Sequence, residues 1–225
     1  MSRFAALLFD FDGVLIDSEY EGNRHLAQWL TANGHPHSPQ EAMHHYMGLA
    51  GKDFLSAIES RIGRALPDDF HEARRQEDLR AMEEGVAAIA GAVDFVRSLP
   101  ADFPKAVVSS SPTRWIDRHL RHLGLREAFG DHIYSGREHV ARGKPAPDLY
   151  LYAADRLGVA IGDCAILEDS PVGATGAVAS GGYVIGMCMG THCAAGHDER
   201  LRAIGVAAIA PDYAAVQREL AIGAG

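Results

Sequence analysis

Cysteine is scarce in this chain: three residues, Cys164, Cys188 and Cys193, stand among 225, and none lies in a Cys-x-x-Cys or His-x-x-x-His arrangement. A sparse, odd set of thiols excludes a disulfide framework and offers no zinc spacing, so reduced core or loop thiols are expected. Basic residues are also short. Lys and Arg total 21 against 30 acids, and the net charge is −9. Nucleic acid and anionic membranes both require a basic face, so neither is an expected partner, although a local basic pocket is still allowed. No apolar run approaches membrane-spanning length, and Met1-Ser2-Arg3 leads into the first strand without a signal-peptide core, which points to a cytoplasmic protein. Internal repeats, low-complexity tracts and long linkers are missing too. What is present is 47% hydrophobic and 23% charged side chains, enough for one large domain or a main domain with an insertion.

The chain is organised around Leu7-Leu8-Phe9-Asp10-Phe11-Asp12-Gly13, an apolar run that ends in two acids and a glycine. This reads as a buried strand opening into a turn. At the carboxyl edge of a parallel sheet, Asp10 and Asp12 would enter a ligand crevice on one side of the chain. Such a pair can hold a hard cation or supply a nucleophile beside an acid/base; it can also be an acidic surface turn.

Helical signals alone follow. A helix starts at Asp17-Ser18-Glu19 and stops at Asn33-Gly34, and further helical segments run over 40–46, 52–62 and 68–84. A block of that size exceeds a single crossover helix, so it reads as a small helical domain inserted after the first strand. Strands and helices then alternate, with strands expected near 105–109, 132–134, 164–167, 183–186 and 206–209. This is the pattern of an α/β protein with a doubly wound parallel sheet.

Three more stretches bring polar groups to that sheet edge. In Val107-Val108-Ser109-Ser110-Ser111-Pro112, Ser111 reads as a helix cap before proline at the first helical position, and Ser109, with Ser110 beside it, as a phosphate contact. In Arg142-Gly143-Lys144-Pro145, a lysine held in a stiff turn can pair with a carboxylate and a transferring phosphoryl group; alone it would be a solvated turn lysine. In Leu167-Glu168-Asp169-Ser170-Pro171, a second acid pair at a strand end would complete an oxygen-rich cage suited to Mg²⁺.

Asp10-Phe11-Asp12-Gly13, Ser109, Lys144-Pro145 and Glu168-Asp169-Ser170 resemble, in order, the four motifs of the haloacid dehalogenase-like hydrolase superfamily. The helical insertion is similar to the small cap of the branch containing β-phosphoglucomutase and sugar-phosphate phosphatases. The resemblance implies a Rossmann-like core over 1–16 and 88–225 with a helical cap over 17–87. It implies a Mg²⁺-dependent phosphatase for a small phosphorylated metabolite: a sugar phosphate, sugar-acid phosphate or polyol phosphate. By the same resemblance, Asp10 is the nucleophile that becomes an aspartyl-phosphate, and Asp12 is the acid/base. Ser109, Ser110 and Lys144 are phosphate-binding, and Asp10, the Asp12 carbonyl, Asp169 and Glu168 surround the metal.

The second aspartate, Asp12, argues against a dehalogenase, because halide leaves without a proton. A β-phosphoglucomutase-like mutase remains an alternative, although Gly22 stands where such mutases carry histidine and Gly51 where they carry a cap arginine. Lys52, beside Gly51, is the expected cap contact to substrate, on the loop Gly48-Leu49-Ala50-Gly51-Lys52. A non-catalytic metal- or phosphate-binding protein is the remaining alternative, and a monomer is the default state.

Overall fold

The computed structural model describes residues 3–46, 51–190, 192–193 and 195–221. The chain divides into two compact units, Met1–Asp17 with Ala87–Gly225, and Ser18–Val86.

The first unit is built on six parallel strands: β1 (Ala6–Phe9), β2 (Lys105–Ser109), β3 (Ile133–Ser135), β4 (Cys164–Glu168), β5 (Tyr183–Met187) and β6 (Ala208–Ala210). Their order across the sheet is β3-β2-β1-β4-β5-β6. Every residue of β1, β2 and β4 is buried, because helices cover both faces of a parallel sheet and such strands are apolar throughout. One face packs Leu8, Val108 and Ile166 against Leu149, Tyr150, Ala153 and Ala177. Phe9 is in register with both Val107 and Leu167, and the Asp10 N–H donates to the Leu167 carbonyl at 2.9 Å. Asp10 thereby leaves the central strand beside the end of β4.

The helices of this unit, in the chain order of the whole protein, are α5 (Ala92–Ser98), α6 (Thr113–His122), α7 (Arg126–Phe129), α8 (Asp148–Leu157), α9 (Pro171–Ser180), α10 (His197–Ile204) and α11 (Tyr213–Ala221). The single-turn α7 has no counterpart in the sequence reading, since four residues are too few to display a helical period. Helix α6 begins one residue after Pro112, and its N-terminus has no side-chain cap. Ser111 is therefore not the expected cap: its hydroxyl donates to the Asp12 carboxylate, a charged acceptor stronger than a backbone partner. The two chain segments that border the second unit pair with each other, Asp17 N–H to Ala87 O at 2.9 Å and Ile89 N–H to Leu15 O at 3.1 Å.

The second unit holds α1 (Ser18–Ala32), α2 (Pro39–Tyr46), α3 (Gly51–Ile62) and α4 (Asp68–Glu84). Leu26 and Leu30, one turn apart on α1, bury themselves with Ala42, Tyr46, Ile58 and Phe70. Glu77 of α4 is also buried, held by Arg74 Nη1 at 2.8 Å and His25 Nδ1 at 2.6 Å. Of the expected substrate loop, Gly48, Leu49 and Ala50 lie outside the described residues. Lys52 is exposed on α3.

Among the described residues no helix is long and apolar enough to cross a membrane. The three cysteines carry no disulfide, and burial pushes the Cys164 and Cys188 thiols up to about 11, so neither is an activated nucleophile.

Candidate active site

In an open α/β sheet the ligand crevice forms where the strand order reverses, and here that point is the carboxyl end of β1 between β2 and β4. Asp10 follows β1, Ser109 ends β2, and Glu168 ends β4 with Asp169 after it. Lys144 does not sit at a strand end; it arrives on the long connection from β3 to α8. Its Nζ lies 2.8 Å from Asp10 Oδ1 and 3.0 Å from Glu168 Oε1, with the side chain almost wholly buried.

Electrostatics follow from that burial. Desolvation, together with the charge of Glu168, pushes the Asp10 carboxyl up to about 7 against the pull of Lys144. Burial also works against the Lys144 ammonium, but Asp10 and Glu168 jointly outweigh it and hold its pKa well above the ordinary lysine value.

Glu168 is fully enclosed. Its Oε1 accepts from Lys144, from the Tyr150 hydroxyl at 3.3 Å and from Ser170 Oγ at 3.3 Å, while Oε2 accepts from the Asp169 N–H at 3.0 Å. Gly173 makes room for it, because a Cβ there would overlap the Glu168 carboxylate. Ser170 caps α9 through the Gly173 N–H at 3.0 Å, with Pro171 opening the helix.

Asp169 is gripped at two points. His192 Nε2 lies 2.7 Å from its Oδ2, and His197 Nε2 lies 2.7 Å from its backbone oxygen. Gly13, with φ +81°, passes so close that a Cβ would overlap Asp169 Oδ2. Tyr213 secures the same turn by donating its hydroxyl to the Val14 carbonyl at 2.8 Å.

The Asp12 carboxylate receives Ser111 Oγ on Oδ2 at 2.6 Å and the Trp115 indole Nε1 on Oδ1 at 3.2 Å. Ser109 is buried and its hydroxyl accepts the Ser111 N–H at 3.0 Å, which shapes the turn into α6; Ser110 between them is exposed. Lys52 belongs to the other unit.

Trp115, Tyr150, His192 and His197 escaped the sequence reading. His192 had a usable signal, as a titratable residue shortly after Gly190 beyond the β5 strand end. Trp115 and Tyr150 had none, since an aromatic residue at helical spacing reads as core.

Asp10, Glu168 and Asp169 bring one carboxylate oxygen each within 4.8 Å of one another. Three buried acids whose oxygens converge in low dielectric favour a bound cation, and an all-oxygen donor set suits a hard divalent one. The site therefore fits such a metal. His192, Cys193 and His197 also cluster within 4.8 Å, but both histidine Nε2 atoms are engaged with Asp169.

Residues 4–181 match the protein-family model described as haloacid dehalogenase-like hydrolase. Hexitol phosphatase A from Escherichia coli is 32% identical over 186 residues, covering 81% of this chain and 82% of that protein. The 6-phosphogluconate phosphatase of the same organism is 28% identical over 193 residues, covering 85% and 86%. A haloacid dehalogenase family hydrolase from Deinococcus radiodurans, solved with bound phosphate and sodium, superposes with a TM-score of 0.84 at 32% identity, covering 99% of this chain and 97% of that one.

Proposed function

Since this chain belongs to the haloacid dehalogenase-like hydrolases and is a phosphoric monoester hydrolase, we propose that it cleaves small sugar, sugar-acid or polyol phosphates with Mg²⁺ through an aspartyl-phosphate on Asp10. The observation that carries the reading is the Lys144 ammonium bridging Asp10 and Glu168 at the reversal point of the sheet. It places a fixed cation beside the one carboxylate that leaves the central strand.

Asp10 attacks phosphorus and the P–O bond to the leaving alcohol breaks, so one difficult hydrolysis becomes two displacements. Asp12, two residues on and held by Ser111 and Trp115, gives its proton to the leaving oxygen and then takes one from the water that opens the acyl phosphate. Lys144 neutralises charge on the nucleophile and on the transferring phosphoryl group. Ser109 and the turn into α6 receive phosphate oxygens. Mg²⁺ would be held by Asp10, the Asp12 carbonyl, Asp169 and Glu168, the last directly or through water, and when bound it offsets the negative charge of carboxylate and phosphate.

Substrate selection is assigned to the helical unit, with Lys52 as the candidate contact to a hydroxyl, carboxylate or second phosphate. A cytosolic location fits the unpaired thiols and the acidic charge balance.

The deciding experiment is phosphate release across phosphorylated hexoses, hexitols, sugar acids and glycerol, with Mg²⁺ or with EDTA. Mg²⁺-dependent release is expected, with Lys52→Ala costing about tenfold in kcat/KM on the preferred substrate and little on p-nitrophenyl phosphate. Undiminished turnover in EDTA would overturn the metal assignment.

A further inference from the structure

The two donors on Asp12 differ in kind, and from that difference comes an inference resting on the acid/base role just proposed. An indole N–H only donates, whereas a serine hydroxyl donates and accepts. Trp115 Nε1 reaches Oδ1 at 3.2 Å and Ser111 Oγ reaches Oδ2 at 2.6 Å, so each carboxylate oxygen has its own partner. We propose that Trp115 is a positioning residue that fixes the rotation of the Asp12 carboxyl group.

The Ser111 hydroxyl can rotate to other partners, whereas the indole N–H can only donate in the direction its ring is held, onto Oδ1. The contact with Trp115 is thus one of fixed direction, from α6 to the carboxylate.

The fold holds the indole for this purpose. Trp115 stands in the first turn of α6, a helix tied down on its buried side by Ile116, His119 and Leu120. The His119 ring packs edge-on against it, 4.1 Å between centroids, and is itself fully buried. Burial pushes that imidazole down to about 4, so it backs the indole as a neutral ring. A tryptophan serving only to cover apolar surface would not need its single polar atom aimed at a carboxylate 103 residues away in the chain.

The test uses a series of aryl phosphates from p-nitrophenyl phosphate to phenyl phosphate. Since kcat/KM covers only the steps through cleavage of the ester bond, it isolates proton delivery to the leaving group, which matters more as that group worsens. Trp115→Phe keeps the ring and removes the N–H. It is expected to lower kcat/KM for phenyl phosphate at least about tenfold while changing that for p-nitrophenyl phosphate less than about threefold, and Trp115→His, which retains a ring N–H, should recover part of the loss. Equal losses along the series would mean a purely structural role and overturn the proposal.

A second measurement requires neither turnover nor a Trp115 variant. The chain has two tryptophans, Trp29 and Trp115, hence two indole N–H resonances, assigned with Trp29→Phe. Asp12→Ala should move the Trp115 resonance upfield and leave the Trp29 resonance in place. An unmoved Trp115 resonance would overturn the contact itself. Failure of the wild-type chain to release phosphate from any ester would instead count against the hydrolytic reading, and the resonance would still judge the contact.

Discussion

His192 Nε2 and Asp169 Oδ2 lie 2.7 Å apart with both side chains almost wholly excluded from water. A hydrogen-bonding partner behind a metal-binding carboxylate fixes its orientation, and losing such a partner typically costs about 10–100-fold in metal affinity. His192→Ala is therefore expected to weaken Mg²⁺ binding by one to two orders of magnitude, read by calorimetry on the metal-free protein. His192→Asn, which restores a donor at shorter reach, should recover part of it. Unchanged affinity in His192→Ala would show that the His192 contact does not orient Asp169 for the metal.

Asp10 and Asp12 should fail in different ways. On the proposed mechanism Asp10→Asn removes the nucleophile, so neither phosphate release nor acid-stable labelling of the protein is expected. Asp12→Asn keeps the nucleophile and loses proton transfer, a cost of about 10²–10⁴ in rate. Rapid acid quench with labelled substrate should find phosphate on Asp10 in the wild-type chain. A wild-type protein that never carries label during turnover would exclude the covalent route.

Lys144 is the sole cation bonded to the buried carboxylates Asp10 and Glu168 among the described residues. Removing one partner of a buried ion pair leaves an uncompensated charge and costs roughly 3–5 kcal/mol. Lys144→Met should lose that much stability to urea in EDTA, and visibly less in saturating Mg²⁺, where the cation takes over part of the compensation. Identical losses in the two buffers would mean that Mg²⁺ takes over none of the charge compensation that Lys144 provides.

His119 predicts the acid limb of stability. Burial pushes it down to about 4, whereas in the unfolded chain it returns to the ordinary histidine value near 6.5. Between those values the unfolded state binds more protons, so stability rises with pH there and is lost as pH falls from about 6.5 toward 4. The full effect is about 3 kcal/mol. Urea midpoints at pH 7 and pH 5 should differ more for the wild-type chain than for His119→Gln. Parallel pH dependence in the two would mean that His119 is protonated inside the folded protein.

Much of the fold was legible because its signals are local. Apolar runs of four or five residues marked strands covered on both faces, Ser170-Pro171 marked the start of α9, and Asn33-Gly34 marked the end of α1. The alternation of strands and helices then admitted few architectures, and the parallel α/β sheet is the one observed. Residue type at strand ends pointed in the same local way to Asp10, Asp12, Ser109 and Glu168-Asp169 as candidates for chemistry.

Partnership was decided only by tertiary structure. Ser111, with a following proline, has every local feature of a helix cap, yet its hydroxyl goes to Asp12 across 99 residues because packing delivers a carboxylate to it. Trp115 looks like core from its spacing, and its N–H meets the same carboxylate. Tyr150 closes over Glu168, and His192 and His197, from the stretch that follows β5, grip Asp169, none of which any sequence window contains. A side chain's local propensity reflects its own backbone, whereas its hydrogen-bond partner depends on which elements the sheet order sets side by side. In this protein that order places β1 between β2 and β4, and so brings the acids, the lysine and their supports to one edge.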